Sequence, residues 1–308
     1  MNRALAFTLA AAVLGASATT AFADGAPDDE VCASGPPTNA SRVDDYSLKA
    51  PLHVVGLTAE SQLVCFSDRK PEKARIIGTL AGFSGGDTRL LGIDFRPQDG
   101  LMYGVGNGGG LYRVDTVSAM LTMVGQLSVL PDPAATAFGV DFNPAANALR
   151  IVADTGQNLR QSFANLGSAN PLTATAVDAM LNYTATATPG PVAMGVVGAA
   201  YTNNDLAAGT ATTLFVLDAN LAQIDLQSPA NSGFLVATGK LGVAPNAGGF
   251  DIYSVLRGSV TVNQRALAAL VVAGTAGLYD VDLLTGRATL RGSFGTAVVD
   301  IAVPLNQY

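Results

Sequence analysis

Four aspartates stand out in the sequence because each lies within a short apolar segment. They are Asp94, Asp141, Asp251 and Asp300. Four carboxylates facing a common channel could hold Ca²⁺, which prefers oxygen ligands. Alternatively, each could accept hydrogen bonds from backbone N–H groups nearby, one local solution repeated along the chain. Because active sites seldom repeat with the period of a fold, we interpret the four as structural repeats and keep Ca²⁺ as the alternative, with no other cofactor expected.

The spacing of these aspartates indicates the elements that must position them. Asp94 and Asp141 are 47 residues apart, and Asp251 and Asp300 are 49 apart. The interval from Asp141 to Asp251 is 110 residues, about two periods, and near its middle Ala200 lies on a similar segment without the acid. A period of about 40–50 residues built from short strands is typical of β-propellers.

Short β-branched and aromatic runs separated by Gly, Asn, Asp and Pro fill residues 51–304, which we predict to be the propeller domain. Aligned on the aspartates, each unit contains four strands, enough for one antiparallel blade. The chain begins this region with segments like second, third and fourth strands, and it ends with an orphan first strand around Asp300. We therefore predict an all-β, five-bladed propeller closed by the C-terminal strand. Six blades remain the alternative, because the unit at 149–183 is long and irregular.

The N-terminal residues predict export. Residues 1–23 combine Arg3, an apolar run and the small-residue site Ala21-Phe22-Ala23, as a signal peptide does. Residues 24–50 are rich in Asp, Pro, Ser and Asn, so we expect a flexible segment. The mature protein would be periplasmic or extracellular, with no membrane insertion, because no later segment offers about 20 unbroken apolar residues.

Charge excludes one class of partner. Charged residues make up only 13% of the chain, and the formal net charge is −7. Nucleic-acid binding requires a basic face that neutralises phosphates, and the few Lys and Arg residues are scattered. We expect the partner to be a small molecule or a protein, and not nucleic acid.

Cysteine and histidine are scarce. In an exported protein the pair Cys32 and Cys65 predicts a disulfide, with two free thiols as the alternative. Two cysteines and one histidine, His53, are too few for a common structural zinc site, so we assign no metal ligands. His53 also lacks the sequence context of a nucleophilic triad, and we assign no catalytic residue.

A polar group in the third unit has no counterpart at matching places in the other units. Loops on a rigid scaffold can vary freely and often carry function. A ligand-binding region here and on the following first strand is therefore a candidate. An ordinary turn, with Asn158 bonded to backbone and Arg160 solvated, is the favoured interpretation. The candidates are Arg150, Asp154, Gln157, Asn158, Arg160, Tyr201 and Asn203.

A glycine-rich run, Gly104 to Gly110, superficially offers a phosphate-binding loop. A dinucleotide fingerprint requires a helix after the glycines, whereas here the β-type segment Leu111-Tyr112-Arg113-Val114 follows. We predict a hairpin turn.

Several segments resemble a bacterial exported family catalogued as domain of unknown function 4394. They are Gly92-Ile93-Asp94-Phe95-Arg96-Pro97, the run from Leu149 to Arg160, Ala199-Ala200-Tyr201-Thr202-Asn203, and Gln227-Ser228-Pro229 followed by Gly233. The resemblance covers most of residues 52–304. It implies a propeller-like exported protein and no activity.

Two functions follow from these observations. The favoured expectation is an exported, non-enzymatic propeller that acts as a binding or interaction module for an unknown ligand. The alternative is a hydrolase or lyase acting on a small or carbohydrate-like substrate at the propeller channel, with or without Ca²⁺. Shortage of histidine and absence of tryptophan, a frequent sugar-stacking residue, favour the first.

Overall fold

A computed structural model describes residues 51–168, 172–183 and 190–307. Within these ranges the chain forms 21 strands and two short 3-10 helices, Pro71–Lys73 and Ala230–Ser232. The predicted signal peptide, the segment 24–50 and Cys32 lie outside the described residues. Cys65 is buried in the first blade, and its disulfide with Cys32 stays a prediction.

The strands form five antiparallel blades. The first two blades contain β1 (His53–Thr58), β2 (Gln62–Ser67), β3 (Arg75–Thr79), β4 (Leu90–Phe95), β5 (Met102–Gly106), β6 (Gly110–Val114) and β7 (Leu121–Gln126). The third blade contains β8 (Phe138–Asn143), β9 (Ala148–Ala153), β10 (Asn158–Ser162) and β11 (Ala176–Val177). The last two contain β12 (Asn182–Tyr183), β13 (Val196–Tyr201), β14 (Leu214–Asp218), β15 (Gln223–Gln227), β16 (Phe234–Lys240), β17 (Pro245–Arg257), β18 (Val260–Val272), β19 (Thr275–Val281) and β20 (Ala288–Ser293). The C-terminal strand β21 (Val298–Ala302) belongs to the first blade.

The sheet order gives each blade its composition. Blade 1 is β21-β1-β2-β3, blade 2 is β4 to β7, and blade 3 is β8 to β11. Blade 4 is β13 to β16 with β12 added in parallel to β16, and blade 5 is β17 to β20. The pairing of C-terminal β21 with β1 confirms the predicted ring closure. Joining both ends of the chain in one sheet removes two open sheet edges.

The first strands of the blades surround the axis. β4 contacts β8, β8 contacts β13, β13 contacts β17, β17 contacts β21, and β21 contacts β4. These five inner strands therefore make a closed ring, and the five-blade prediction is correct.

The inner strands of the blades are buried on both faces, which explains their continuous apolar runs, whereas outer strands such as β3, β7 and β20 are largely exposed. One hydrophobic cluster fills each junction between neighbouring blades. Between blades 2 and 3, for example, Tyr103, Phe142 and Phe163 pack edge to face with centroids 4.9–5.7 Å apart. Full burial of one such side chain contributes about 1.5–3 kcal/mol.

Blade 5 departs from the sequence expectation. β17 and β18 are each 13 residues long and form a hairpin that extends beyond the other blades. Its outer half is polar and half-exposed around Val260–Gln264, so its periodicity was too weak to predict. In the described part of the chain no helix is long and apolar enough to cross a membrane.

Candidate functional site

The four recurrent aspartates lie on inner strands and point towards the next blade. All are buried, with at most 7% of each residue exposed. Each carboxylate accepts a backbone N–H from the next inner segment around the ring. The donors are Phe142 N to Asp94 (2.7 Å), Tyr201 N to Asp141 (2.8 Å), Val303 N to Asp251 (2.6 Å) and Ile93 N to Asp300 (2.9 Å). At four of the five blade junctions, a carboxylate therefore links the two neighbouring inner strands.

Burial makes the ionised form of these carboxylates unfavourable. It raises the pKa of Asp94, Asp141 and Asp300 well above the usual value, and repulsion from neighbouring aspartates adds to the effect. Burial also raises the pKa of Asp251 to about 6, although two backbone N–H groups oppose the shift. The centre of the ring therefore holds excess negative charge, or protons, at neutral pH.

Three of these carboxylates could hold a cation. One oxygen each from Asp94, Asp141 and Asp251 lie within 4.8 Å of one another. Such a set of hard oxygen donors suits Ca²⁺. The carboxylates also have partners in the backbone, so their position is explained without a metal.

The inner strands approach one another closely around this cluster. A Cβ on Gly139 would lie 2.5 Å from the backbone nitrogen of Ala199, and one on Gly249 would lie 2.4 Å from the Cα of Asp300. Glycine is required at both positions because a side chain would push the blades apart. A substrate would have to pass this packing to reach the buried aspartates.

The junction between blades 4 and 5 is the one without a carboxylate. Ala200 stands at the aspartate position of β13, and its methyl group belongs to the apolar cluster shared with blade 5. Its cross-strand neighbour is Phe215. In blade 3 the equivalent pair is Asp141 and Arg150. The repeat therefore changes from a charged pair to an apolar pair between two successive junctions.

Arg150 is the centre of a polar network between blades 3 and 4. Only 1% of this residue is exposed. Its guanidinium donates to Asn158 Oδ1 (2.7 Å), Asp178 Oδ2 (2.6 Å), Asn231 Oδ1 (2.7 Å) and the Tyr201 hydroxyl (3.3 Å). We call these five residues the Arg150 network. Every guanidinium nitrogen has a partner, and four of its five N–H groups donate to protein acceptors. The network therefore leaves at most one N–H of Arg150 for a ligand.

Neighbouring groups complete the network. Arg160 donates to Asp178 from the solvent side (3.1 Å), with 35% of its side chain exposed. The Asn158 amide donates to the carbonyl oxygens of Ala179 (2.9 Å) and Ala230 (3.1 Å). Asp178 and Asn231 were absent from the sequence prediction, since they lie 28 and 81 residues from Arg150. Only the fold brings them together.

The structure places the predicted candidates in three separate positions. Four of them lie together between blades 3 and 4: Arg150, Asn158, Arg160 and Tyr201. Asp154 instead accepts from the hydroxyl and backbone N–H of Thr136, and Gln157 accepts from Asp132 N (2.9 Å), so both fasten the loop before β8. Asn203 lies at the boundary of blades 4 and 5, where its Oδ1 accepts from Gln264 Nε2 (2.6 Å).

The glycine-rich run forms the β5–β6 hairpin, as predicted, and encloses an internal anion. Asp87 accepts hydrogen bonds from Gly108 N, Gly110 N and the Tyr112 hydroxyl. The amide groups that could have bound a phosphate are therefore occupied by a carboxylate of the same blade.

A second buried acid pair lies in blade 4. Burial raises the pKa of Asp225 to about 7, and the charge of Asp218 adds to the shift. Gln223 donates to Asp225 Oδ1 (2.8 Å), whereas Asp225 Oδ2 is buried without a hydrogen bond from any described residue. Asp218 is equally buried but has more hydrogen-bond donors, because it accepts from Leu221 N (2.8 Å) and from the Tyr183 hydroxyl.

A cleft of about 800 Å³ opens between blades 4 and 5, on the same side of the sheet as Ala200. We call it the blade 4–5 cleft. Phe215 of β14 and Ala266 of β18 contribute to its apolar lining, and Val262 and Leu284 line it with 52% and 82% of each residue exposed. The volume falls within the roughly 300–1,000 Å³ of small-molecule sites.

Polar groups also line this cleft. Thr213, Asn263, Arg287 and Thr289 are among them. Within the described residues no hydrogen bond or ion pair engages the Arg287 guanidinium or the Thr289 hydroxyl. Asp280 is ion-paired with Arg291 (2.7 Å), and Asp282 accepts from two N–H groups of its own turn. A mainly apolar cleft with a few unengaged polar groups is the usual form of a ligand site.

Comparison with known sequences gives a family. The profile of the family described as "Domain of unknown function (DUF4394)" matches residues 62–302. No protein of curated function matches the chain.

Three solved structures that match the chain are distant from it in sequence and have TM-scores of 0.36–0.40. An auxiliary nutrient binding protein from Bacteroides thetaiotaomicron shares 14% identity over 70% of this chain, with a TM-score of 0.38, and the match spans only 55% of that protein. A nidogen/laminin complex shares 10% identity over 84% of this chain and 100% of its own, with a TM-score of 0.40. A protein from Lactobacillus plantarum shares 14% identity over 79% of this chain and 67% of its own, with a TM-score of 0.36.

Proposed function

We propose that this chain, which belongs to the family described as domain of unknown function DUF4394, is an exported binding module whose small ligand occupies the blade 4–5 cleft. The observation that carries the proposal is the contrast in hydrogen-bond satisfaction. Four of the five N–H groups of the buried Arg150 guanidinium are engaged. Among the described residues lining the cleft, the exposed Arg287 guanidinium and Thr289 hydroxyl have no protein partner and lie beside exposed apolar side chains.

Position in the fold supports the same proposal. At the other four junctions a carboxylate joins the inner strands. At this junction Ala200 replaces the aspartate, and its cross-strand neighbour Phe215 lines the cleft. A one-off departure from a structural repeat is where a one-off site can develop without disturbing the ring.

The enzymatic alternative receives less support. A hydrolase or lyase at the channel would use the aspartates of the central cluster, and these are 2–7% exposed and hydrogen-bonded to the backbone. Arg150, the expected cationic partner, donates to other residues. Calcium at Asp94, Asp141 and Asp251 is favoured only by the mutual distance of their oxygens, and it would support the ring more directly than a reaction.

A matched pair of variants tests the binding proposal. Val262 lines the cleft and Val260 does not, although both lie on β18 with 52% and 49% exposure. Val262→Trp should fill the cleft, and Val260→Trp should leave it open. We expect compounds that raise the melting temperature of the wild-type protein, in a small-molecule thermal-shift panel, to act on Val260→Trp and to lose at least tenfold in affinity on Val262→Trp.

Two results would overturn the proposal. One is a panel hit that binds both variants equally, because the ligand would then lie elsewhere. The other is turnover of a substrate that Asp141→Asn abolishes.

N-terminal sequencing of the exported protein tests export separately. We expect the mature chain to begin at Asp24.

A further inference from the structure

We infer that the ligand of the blade 4–5 cleft is an amphipathic monocarboxylate, an apolar chain or ring carrying one carboxylate group. The inference rests on the proposed function and adds the chemical class of the ligand. It draws on the charges and on the apolar surface that the cleft leaves unengaged.

Arg287 supplies the positive charge of the cleft. It lies where β20 begins, on the wall between the cleft and an adjoining cleft of about 740 Å³ that Lys240 also lines. Lys240 is engaged, because its ammonium donates to Leu221 O and Gln223 Oε1 (both 2.8 Å). Among the described residues lining the two clefts, Arg287 is therefore the cation without a protein partner, and this residue is exposed to solvent.

The acids of the cleft do not compete for this guanidinium. Asp280 is paired with Arg291. The backbone N–H groups of Thr285 and Leu284 lower the pKa of Asp282. Its ionised carboxylate accepts both hydrogen bonds and stabilises the turn. An incoming carboxylate would give Arg287 the bidentate partner that its planar geometry favours.

The same surroundings disfavour a phosphate. Sites for dianions usually provide several backbone N–H groups from a helix N-terminus or a glycine-rich loop. The described residues of this cleft belong to strands and a turn, and the glycine-rich loop of the chain lies in blade 2 with Asp87 in it. Arg291 neutralises Asp280, and the ionised Asp282 balances the charge of Arg287. The cleft therefore offers one guanidinium and no surplus of positive charge, which suits a monoanion better than a dianion.

The apolar part of the ligand is indicated by the cleft surface. Phe215 and Ala266 lie deep in the cleft with 8% and 5% exposure, and Val262 and Leu284 at its rim are 52% and 82% exposed. An apolar chain would cover these side chains, and each buried CH₂ group should improve affinity roughly fourfold.

Calorimetric titration with four probes tests the inference: octanoate, decanoate, decanol and decyl phosphate. We expect decanoate to bind more tightly than octanoate, by roughly the factor for two CH₂ groups, and more tightly than decanol or decyl phosphate. Arg287→Gln should weaken decanoate at least tenfold and leave decanol unchanged. Arg287→Lys should recover part of the loss. The control is Arg113→Gln, an exposed arginine on β6, which should bind decanoate like the wild-type protein.

The outcomes separate this inference from the proposed function. Equal binding of decanol, or no effect of Arg287→Gln, overturns the monocarboxylate and leaves the cleft as a binding site. Tighter binding of decyl phosphate overturns it in favour of a phosphate. If decanoate does not bind, the inference is wrong, and the Val262→Trp and Val260→Trp comparison still decides the proposed function with other ligands.

Discussion

Two neighbouring junctions of this propeller use the same backbone geometry with opposite chemistry. Between blades 3 and 4 the inner pair is Asp141 and Arg150, and both side chains are buried with partners. Between blades 4 and 5 the equivalent pair is Ala200 and Phe215, beside a cleft of about 800 Å³. The difference shows that the conspicuous polar group of one junction stabilises the fold, whereas the apolar pair of the next junction lies beside an open cleft.

The largest effect should come from breaking the Arg150 network. Arg150→Met leaves the buried acceptors of Asp178, Asn158 and Asn231 without their donor, so we expect the free energy of unfolding to fall by about 3–5 kcal/mol. Urea denaturation measures it. Arg160→Met removes the partly exposed partner of the same Asp178, and it should lower the free energy of unfolding by only about 0–1 kcal/mol. Equal losses from the two variants would contradict the assignment of this stabilising role to Arg150.

The pH dependence of stability is the next largest effect. Folding raises the pKa of Asp225 to about 7 and of Asp251 to about 6, above the roughly 3.9 of an unfolded aspartate. Between these values the folded protein holds protons that the unfolded chain has released. The free energy of unfolding should therefore fall as pH rises from about 4 to about 7, by up to about 1.4 kcal/mol per pH unit for each group.

One variant separates the contribution of blade 4 from that of the ring. Asp225→Asn should make the decline shallower over the whole range from about pH 4 to about pH 7, and leave the part that the ring aspartates contribute. Denaturation at a series of pH values supplies the measurement. A wild-type stability that rises through this range would show that the buried acids are paired with a cation.

A smaller effect distinguishes an empty ring from a calcium-filled one. In the presence of a chelator, Asp141→Asn removes a buried charge and keeps the acceptor for Tyr201 N, so we expect a gain of about 1–2 kcal/mol at pH 8. The control measurement is the wild-type melting temperature with and without Ca²⁺, which should not change. A calcium-dependent rise that Asp141→Asn abolishes would assign the central aspartates to a metal.

The smallest effect belongs to the cleft itself. Val262→Trp and Val260→Trp both alter exposed positions of β18, so each should change the free energy of unfolding by no more than about 0.5 kcal/mol. A large loss for Val262→Trp alone would mean that the cleft closes in solution and that its walls pack together.

The repeat made the fold predictable from sequence. The regular spacing of the aspartates predicted the number of blades, and the unpaired first strand around Asp300 predicted how the ring closes. The candidate site was predictable only in part. Arg150, Asn158, Arg160 and Tyr201 do converge, but Asp178 and Asn231 join them through loops whose path no local pattern specifies. The cleft was missed because Phe215 and Arg287 are 72 positions apart and look ordinary in sequence.

Chemical-shift mapping of the backbone amides with decanoate tests the central claim most directly. We expect the perturbed amides to cluster on both walls of the blade 4–5 cleft, at Thr213, Phe215, Gln264 and Arg287. The amides around Arg150 and Asp141 should stay unchanged. Perturbations centred on Arg150, Tyr201 and Asn231, or on the ring of aspartates, would contradict it.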